Sequence, residues 1–279
     1  MPRPAVPAAV TVLVLAVSGC TPGSSRADAP RDRPSTALGG PTTTGVPAGT
    51  TLEPSGSIVV DTPGQVVRGL EVRGVVTIEA SDVTVEDTRV IADGYFAITV
   101  ADDVDGVVIR DSEIDGRGRS GSAGSAGIVG GSPLLERLDI HGVENGVVPG
   151  SGTVLRQSWV HDLVAPGDPH YDGVQMDGGQ TDVVVERSTI DLSDRGQTAA
   201  VMINNLSGPI SRVRVRDNVL LGGGYTVYAD GQFSSSPIED VEITGNRLLR
   251  GTYGYAAITR ARPTWVDNTD LRTGRPAEP

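Results

Sequence analysis

An all-β fold, a right-handed parallel β-helix (solenoid) of about eight coils, is predicted by three observations. First, an alternating apolar phrase broken by a small polar pair recurs along most of the chain. It reads VTVEDTRV from Val83, VVIRDSEI from Val107, VVVERSTI from Val183, VRVRDNVL from Val213 and VEITGNRL from Val241. Second, aligning its last apolar residue gives Val72, Val90, Ile114, Ile140, Val160, Ile190, Leu220, Leu248 and Leu271, an uneven period of about 25 residues. Third, aromatic residues are 4% of the chain, as expected where Val and Ile ladders fill a narrow core. Propeller blades need about 40 to 50 residues each, and the Leu-x-x-Leu-x-Leu phrase of leucine-rich repeats is absent.

From the N-terminus, residues 1–19 carry Arg3 as their one charge and an apolar run to Val17. The run is too short to span a bilayer and reads as a secretory signal. It ends in Val17-Ser18-Gly19-Cys20, and Cys20 is the only cysteine. This ending resembles the lipobox of bacterial lipoproteins, which implies lipidation of Cys20 as the mature N-terminus and a membrane partner at the outer face of the cell membrane. Residues 20–56, rich in Pro, Thr, Ser and Gly without apolar periodicity, are expected to form a disordered tether. The β-helix is expected over 57–271, and residues 272–279 as a flexible tail.

Within the coils a second strand set recurs. Strand alternation turns Ile98, Ile128, Val147, Val174, Val201, Val227 and Ile258 inward. The outward column then runs Thr99, Val129, Val148, Gln175, Met202, Tyr228, Thr259, and two residues on stand Gly131, Gly150, Asp177, Asn204 and Asp230. A third column follows the first phrase: Ile91, Asp115, His141, His161, Asp191, Leu221, Leu249. Loops of unequal length leave one corner, at Gly116–Ala126, Asp162–Tyr171, Leu192–Ala199, Gly222–Gly224 and Arg250–Tyr253. They are expected to wall a groove over the second strand set, and long loops on one corner of a regular scaffold are where function concentrates.

The formal net charge is −12 and there is no lysine, so all 23 basic residues are arginines. That balance argues against nucleic acid as a partner, since binding phosphates requires a basic face. Locally the loop corner carries Arg117, Arg119, Arg195 and Arg250, which could meet an acidic sugar.

The sharpest local signal is Asp168-Pro169-His170-Tyr171-Asp172-Gly173-Val174-Gln175. Asp-Pro and Asp-Gly are also ordinary turn pairs, and alternation points Asp172 toward the core. The phrase resembles the Asp-Pro-His-acidic motif of mannuronan C5-epimerases, a family of right-handed β-helices acting on uronic acid polymers. The resemblance implies active-site roles for Asp168 and His170; the family's preceding tyrosine and its lysine have no counterpart here. Over the repeat region, phrases such as Glu113-Ile114-Asp115-Gly116, His141-Gly142, His161-Asp162-Leu163 and the run Gly222–Asp230 are similar to those of actinobacterial secreted β-helix proteins. Relatives of that fold are mostly polysaccharide lyases, epimerases and hydrolases.

The function expected is an exported, lipid-anchored, carbohydrate-active protein, with an enzyme favoured over a passive binder. In a lyase or C5-epimerase, His170 removes the C5 proton and Asp168 orients it. His141, His161 or a nearby arginine neutralises the sugar carboxylate. Gln175, Asp172, Tyr228, Asn204, Arg117 and Arg195 are the candidate substrate-binding residues, and Tyr228 also a proton donor. Two alternatives stay open: a glycoside hydrolase using Asp177 and Asp230, whose two-rung separation of about 10 Å exceeds the usual spacing, and a non-catalytic polysaccharide-binding surface lipoprotein. His141 and His161 also suit a structural ladder, or metal ligation with Asp115 and Asp191. Tyr225, Tyr228, Trp159 and Met202 suit a sugar-stacking surface. Asp102, Asp103 and Asp105 are candidate calcium ligands or, more simply, turn caps.

Overall fold

The computed structural model describes residues 37–117, 125–194 and 198–279; the expected signal segment, Cys20, Arg119 and Arg195 lie outside them. Three parallel sheets of ten, nine and nine strands stack into a β-solenoid, with a coil count close to the expected one. No helix occurs among the described residues.

Each recurrent phrase folds as two strands in different sheets, bent at its polar pair. In VTVEDTRV, Thr84–Glu86 belongs to the third sheet and Arg89–Ile91 to the first. The first member of the pair takes the left-handed conformation, with φ of 48° at Asp87 and Asp111 and 58° at Asp217. Aspartate tolerates that region better than bulkier residues. The second member turns inward as a polar ladder. The backbone N–H of Ser158 donates to Ser188 Oγ at 3.1 Å, that of Ser188 to Asn218 Oδ1 at 2.9 Å, and that of Asn218 to Asn246 Oδ1 at 3.0 Å. These side chains thus pair buried amides at the bend, which is the condition for placing polar groups inside an apolar stack; at Leu138 the ladder is interrupted by an apolar residue.

The first-sheet ladder is as the sequence predicts. Val72, Val90, Ile114, Ile140, Val160, Ile190, Leu220 and Leu248 are all fully buried and face one another in register. Each such side chain contributes about 1.5–3 kcal/mol through burial. At the last rung Leu248 pairs with Asp270, not with Leu271, which is 39% exposed. Asp270 holds that rung because its carboxylate ties the final turn, accepting the Thr273 N–H and Oγ1–H at 2.7 Å and the Tyr255 hydroxyl at 2.8 Å.

In the second sheet, Val227 pairs with Ala256 and Ala229 with Ile258. Ile258 and Thr259 thus stand two residues further along the rung than alternation from the sequence suggested. The expected inward orientation of Asp172 also needs correction. Gly173 faces the interior, where an added Cβ would meet Ile190 Cγ2 at 2.1 Å. Val174 is buried in the core as well, so two successive residues face inward and the alternation changes phase. Asp172 is buried instead at the loop corner, accepting the Ala199 N–H at 3.2 Å.

The outer face of the third sheet carries a charge ladder that alternates in sign from rung to rung: Arg68, Glu86, Arg110, Glu136, Arg156, Glu186, Arg216. Arg110 reaches Glu86 at 2.6 Å, Arg156 reaches Glu136 at 2.8 Å and Arg216 reaches Glu186 at 2.7 Å. A slip of one coil would set like charges opposite, so the ladder selects the stacking order.

Residues 37–50 and 272–279 are both more ordered than their composition suggests. Residues 37–50, expected within the tether, cross the corner between the third and first sheets: Gly39 N–H donates to Arg187 O at 2.8 Å and Gly45 N–H to Arg137 O at 3.0 Å. Glu53–Ser55 then opens the first sheet. The tail folds back over the last coil, where Ala277 is 2% exposed. Its amide donates to Asn268 O at 2.9 Å and its carbonyl accepts Trp265 Nε1–H at 2.7 Å. The tail thereby covers apolar side chains that an open solenoid end would expose.

Candidate functional site

The outer face of the first sheet gathers the titratable groups. Two outward columns, one on each side of the buried ladder, carry Arg89, Glu113, Asp139 and Trp159, and Asp115, His141, His161 and Asp191. The second of these is the histidine column expected from the sequence. Arg89 bridges Glu113 and Asp115 at 3.1 Å each. His141 Nε2 lies 3.2 Å from Glu113 Oε1 and its Nδ1 3.9 Å from Asp115. The Glu113 hydrogen bond holds the His141 pKa above the ordinary histidine value, with burial opposing and Asp139 and Asp115 adding to the rise.

One coil on, His161 faces a carboxylate from each nitrogen, Nε2 to Asp139 at 2.8 Å and Nδ1 to Asp162 at 2.6 Å. The Trp159 ring stacks on it, with centroids 3.4 Å apart and planes 13° apart. The two histidines are thus partnered groups in a charge lattice: both nitrogens of His161 and the Nε2 of His141 lie within hydrogen-bond reach of a carboxylate.

Glu113, Asp115 and His141 place ligand atoms within 4.8 Å of one another and are the residues that could hold a divalent cation. The Arg89 guanidinium already bridges both carboxylates, offsetting one of their two charges. Asp102 accepts the Gly131 N–H at 3.3 Å, which ties two turns together.

Two clefts open on the first-sheet side of the corner loops. The smaller is lined by Trp159, His161, Asp162, Leu163, Asp191 and Leu192, and also by Ser193 and Asp194. The larger, about 780 Å³, is lined by Ser193 and Asp194 again and continues past Gly222, Leu249 and Thr252 to Arg250, Tyr255, Arg272 and Arg275. Ser193 and Asp194 line both, so the clefts meet at this loop, and the pair together is called the corner trough. The groove expected over the second strand set is thus met by a trough on the neighbouring face. The loops after Leu192, Gly222 and Arg250 contribute to it as expected.

The motif residues His170 and Asp168 are exposed on the loop that leaves the trough at Asp162. His170 is anchored through its backbone, whose N–H donates to the buried Glu144 Oε1 at 2.8 Å. No hydrogen bond joins the Asp168 and His170 side chains among the described residues. Burial pushes the Asp172 carboxyl well above the usual carboxylate range, with Asp177 and Glu144 adding to it. Burial likewise raises Tyr228, whose ring meets Tyr225 edge-on at 5.5 Å. Gln175 and Tyr228 share the outward second-sheet column through Met202.

The proposed hydrolytic pair is otherwise engaged. Asp177 accepts from Asn204 Nδ2 at 2.6 Å, while the buried Asp230 accepts the Gln232 N–H at 3.1 Å and its Nε2–H at 2.6 Å. Asn204 stands between them in register with Asp230. Arg117 belongs to the first-sheet lattice, its N–H donating to Asp115 Oδ1 at 2.8 Å.

Glu113, Asp139 and Arg89 were not among the residues singled out in the sequence, although each directly precedes an inward residue of the repeat and alternation alone assigns it to the outer face. Arg272 and Arg275 were assigned to a flexible tail. No family model, no curated protein and no solved structure matches the chain, so the functional argument rests on this geometry.

Proposed function

We propose that this is a carbohydrate-active protein that lays an acidic polysaccharide along the corner trough, acting as a lyase or C5-epimerase on a uronic acid polymer. The observation that carries the reading is the pair of adjoining clefts, with Trp159 and His161 at one end and three arginines at the other. An elongated open trough suits a polymer better than a small enclosed ligand, and an aromatic ring beside hydrogen-bonding groups suits a sugar. His170, exposed on the loop that leaves the trough at Asp162, is the base: it takes the C5 proton of a uronate, and neutralisation of that sugar's carboxylate lowers the energy of the carbanion. Asp168 stands two residues away on the same loop and would have to turn toward His170 to orient it. In the lyase the C4–O bond then breaks, giving a C4=C5 double bond, and the departing oxygen takes a proton. In the epimerase a proton returns to the opposite face of C5. Export and lipidation at Cys20 would hold the domain at the outer face of the membrane, where such polymers are met.

A second reading, a non-catalytic glycan binder, is favoured by the carboxylate partners on both histidines of the first sheet. A hydrolase is the weaker alternative, because Asp177 and Asp230 are each committed to a neighbouring amide side chain. The test is incubation of uronic and neutral polysaccharides with the protein in heavy water, beside His170→Ala, followed by mass spectrometry. Unsaturated ends, or deuterium gained without cleavage, that vanish in the variant are expected. Saturated fragments indicate hydrolysis, and intact unlabelled polymer indicates the binder.

A further inference from the structure

The larger cleft has a chemistry of its own. Arg250, Arg272 and Arg275 line it, and none of the three forms a salt bridge among the described residues. Arginines earlier in the chain, such as Arg68, Arg89, Arg110, Arg137, Arg156 and Arg216, are paired with carboxylates, whereas those of the last coils, Arg247, Arg260 and Arg262 included, form no salt bridge among the described residues; what sets Arg250, Arg272 and Arg275 apart is that they line one cleft. Two acidic residues also line the cleft. Asp270 is spent internally, accepting from Thr273 and Tyr255, and these hydrogen bonds hold its pKa below the ordinary value. Asp194 sits at the junction with the smaller cleft. The Arg250 guanidinium donates to Tyr253 O at 3.0 Å, which fixes its stem and leaves donors free. Three arginines stand against two aspartates in the lining, so the cleft has a formal charge of about +1 (3 − 2) within a molecule of net charge −12.

We infer that this cleft is a carboxylate-binding subsite for an acidic glycan, assembled by the C-terminal tail. Arg272 and Arg275 come from the segment that folds back over the last coil, held there by the turn on Asp270 and by the Thr269–Pro276 bridge. The planar guanidinium fork matches a carboxylate in a way no other side chain does. The volume, about 780 Å³, lies within the range of about 300 to 1,000 Å³ typical of ligand sites. The subsite anchors one uronate several coils from Trp159 and His161, so a chain of several sugars must span the trough. The inference deepens the preceding reading and rests on it for the identity of the polymer, but not for any reaction.

The experiment is calorimetric titration of the full chain at low salt with a saturated oligouronate, a neutral oligosaccharide of equal length and a linear oligophosphate. Variants are Arg272→Ala and Arg275→Ala, whose side chains are exposed, with Arg262→Ala, another exposed arginine outside the cleft, as the control for net charge. The expected result is binding of the oligouronate alone, weakened about tenfold by either cleft substitution, the size of one charge-assisted hydrogen bond, and unchanged by Arg262→Ala. Equal binding by both cleft variants and wild type, an equal loss in Arg262→Ala, no oligouronate binding, or preference for the oligophosphate would each overturn the assignment. Turnover in heavy water is read separately. Binding without turnover keeps the subsite and removes the enzyme, whereas turnover indifferent to Arg272 and Arg275 does the reverse.

Discussion

Single residues show how burial and charge set protonation in this chain, and two of them make the account testable by pH. Asp172 has a folded pKa raised above its ordinary value of 3.8 by burial, so between that value and the raised one the folded state binds more protons than the unfolded. Its contribution to stability is present below about 3.8 and is lost as pH rises through the folded pKa. Asp172→Asn is expected to raise the melting temperature at neutral pH and to flatten this part of the pH dependence, read from melting curves across pH. For His141, raised from 6.5 chiefly by Glu113, the contribution is likewise full below 6.5 and lost as pH rises through the folded value. Glu113→Gln is expected to bring the imidazole titration seen by NMR back down toward 6.5; an unmoved titration would show that Glu113 is not the cause. Asn246 tests the polar ladder. Its side chain donates to Val215 O and Asn268 Oδ1 and accepts from Asn218, so Asn246→Ala should cost roughly 1–3 kcal/mol for each buried group left unpaired, measured by denaturant unfolding.

Strands and corners explain what could be read in advance and what could not. The inward ladder of the first sheet and the column Asp115, His141, His161, Asp191 were legible because a period of two within a regular repeat leaves one assignment per residue. The bend inside each phrase was not, because one left-handed residue between two short strands leaves the apolar alternation nearly unbroken. Asp172 was misplaced for a related reason. A glycine with no side chain gives alternation nothing to follow, and the phase change at Gly173 and Val174 passes unseen. Gly173→Val should be strongly destabilising, by about 1–3 kcal/mol or more, since its side chain would enter the volume of Ile190. The alternating charges of the third sheet were in plain view, one residue before each polar pair, but acquire meaning only once the rungs are stacked. Glu136→Arg, which sets an arginine between Arg110 and Arg156, is expected to lower the melting temperature and raise the sensitivity to salt.

For the whole molecule, the tail gives the clearest lesson. Pro, Gly and charged residues at 272–279 look like a frayed end, yet one alanine and the turn on Asp270 close the solenoid and complete the larger cleft. Such closure depends on particular contacts with the last coil, at Trp265, Asn268 and Asp270, which composition cannot express. The trough was foreseen only in part: the loop corner was identified, while the clefts lie on its first-sheet side. Deleting 272–279 is expected to expose the last coil and promote association, seen as added mass in light scattering. The most direct test of the account is to locate an oligouronate on the protein by NMR chemical-shift perturbation. The account predicts shifts that run from Trp159–Leu163 through Asp191–Asp194 to Arg250 and Arg272–Arg275. Shifts confined to the Gln175, Met202 and Tyr228 face of the second sheet, or none with any uronate, would contradict it.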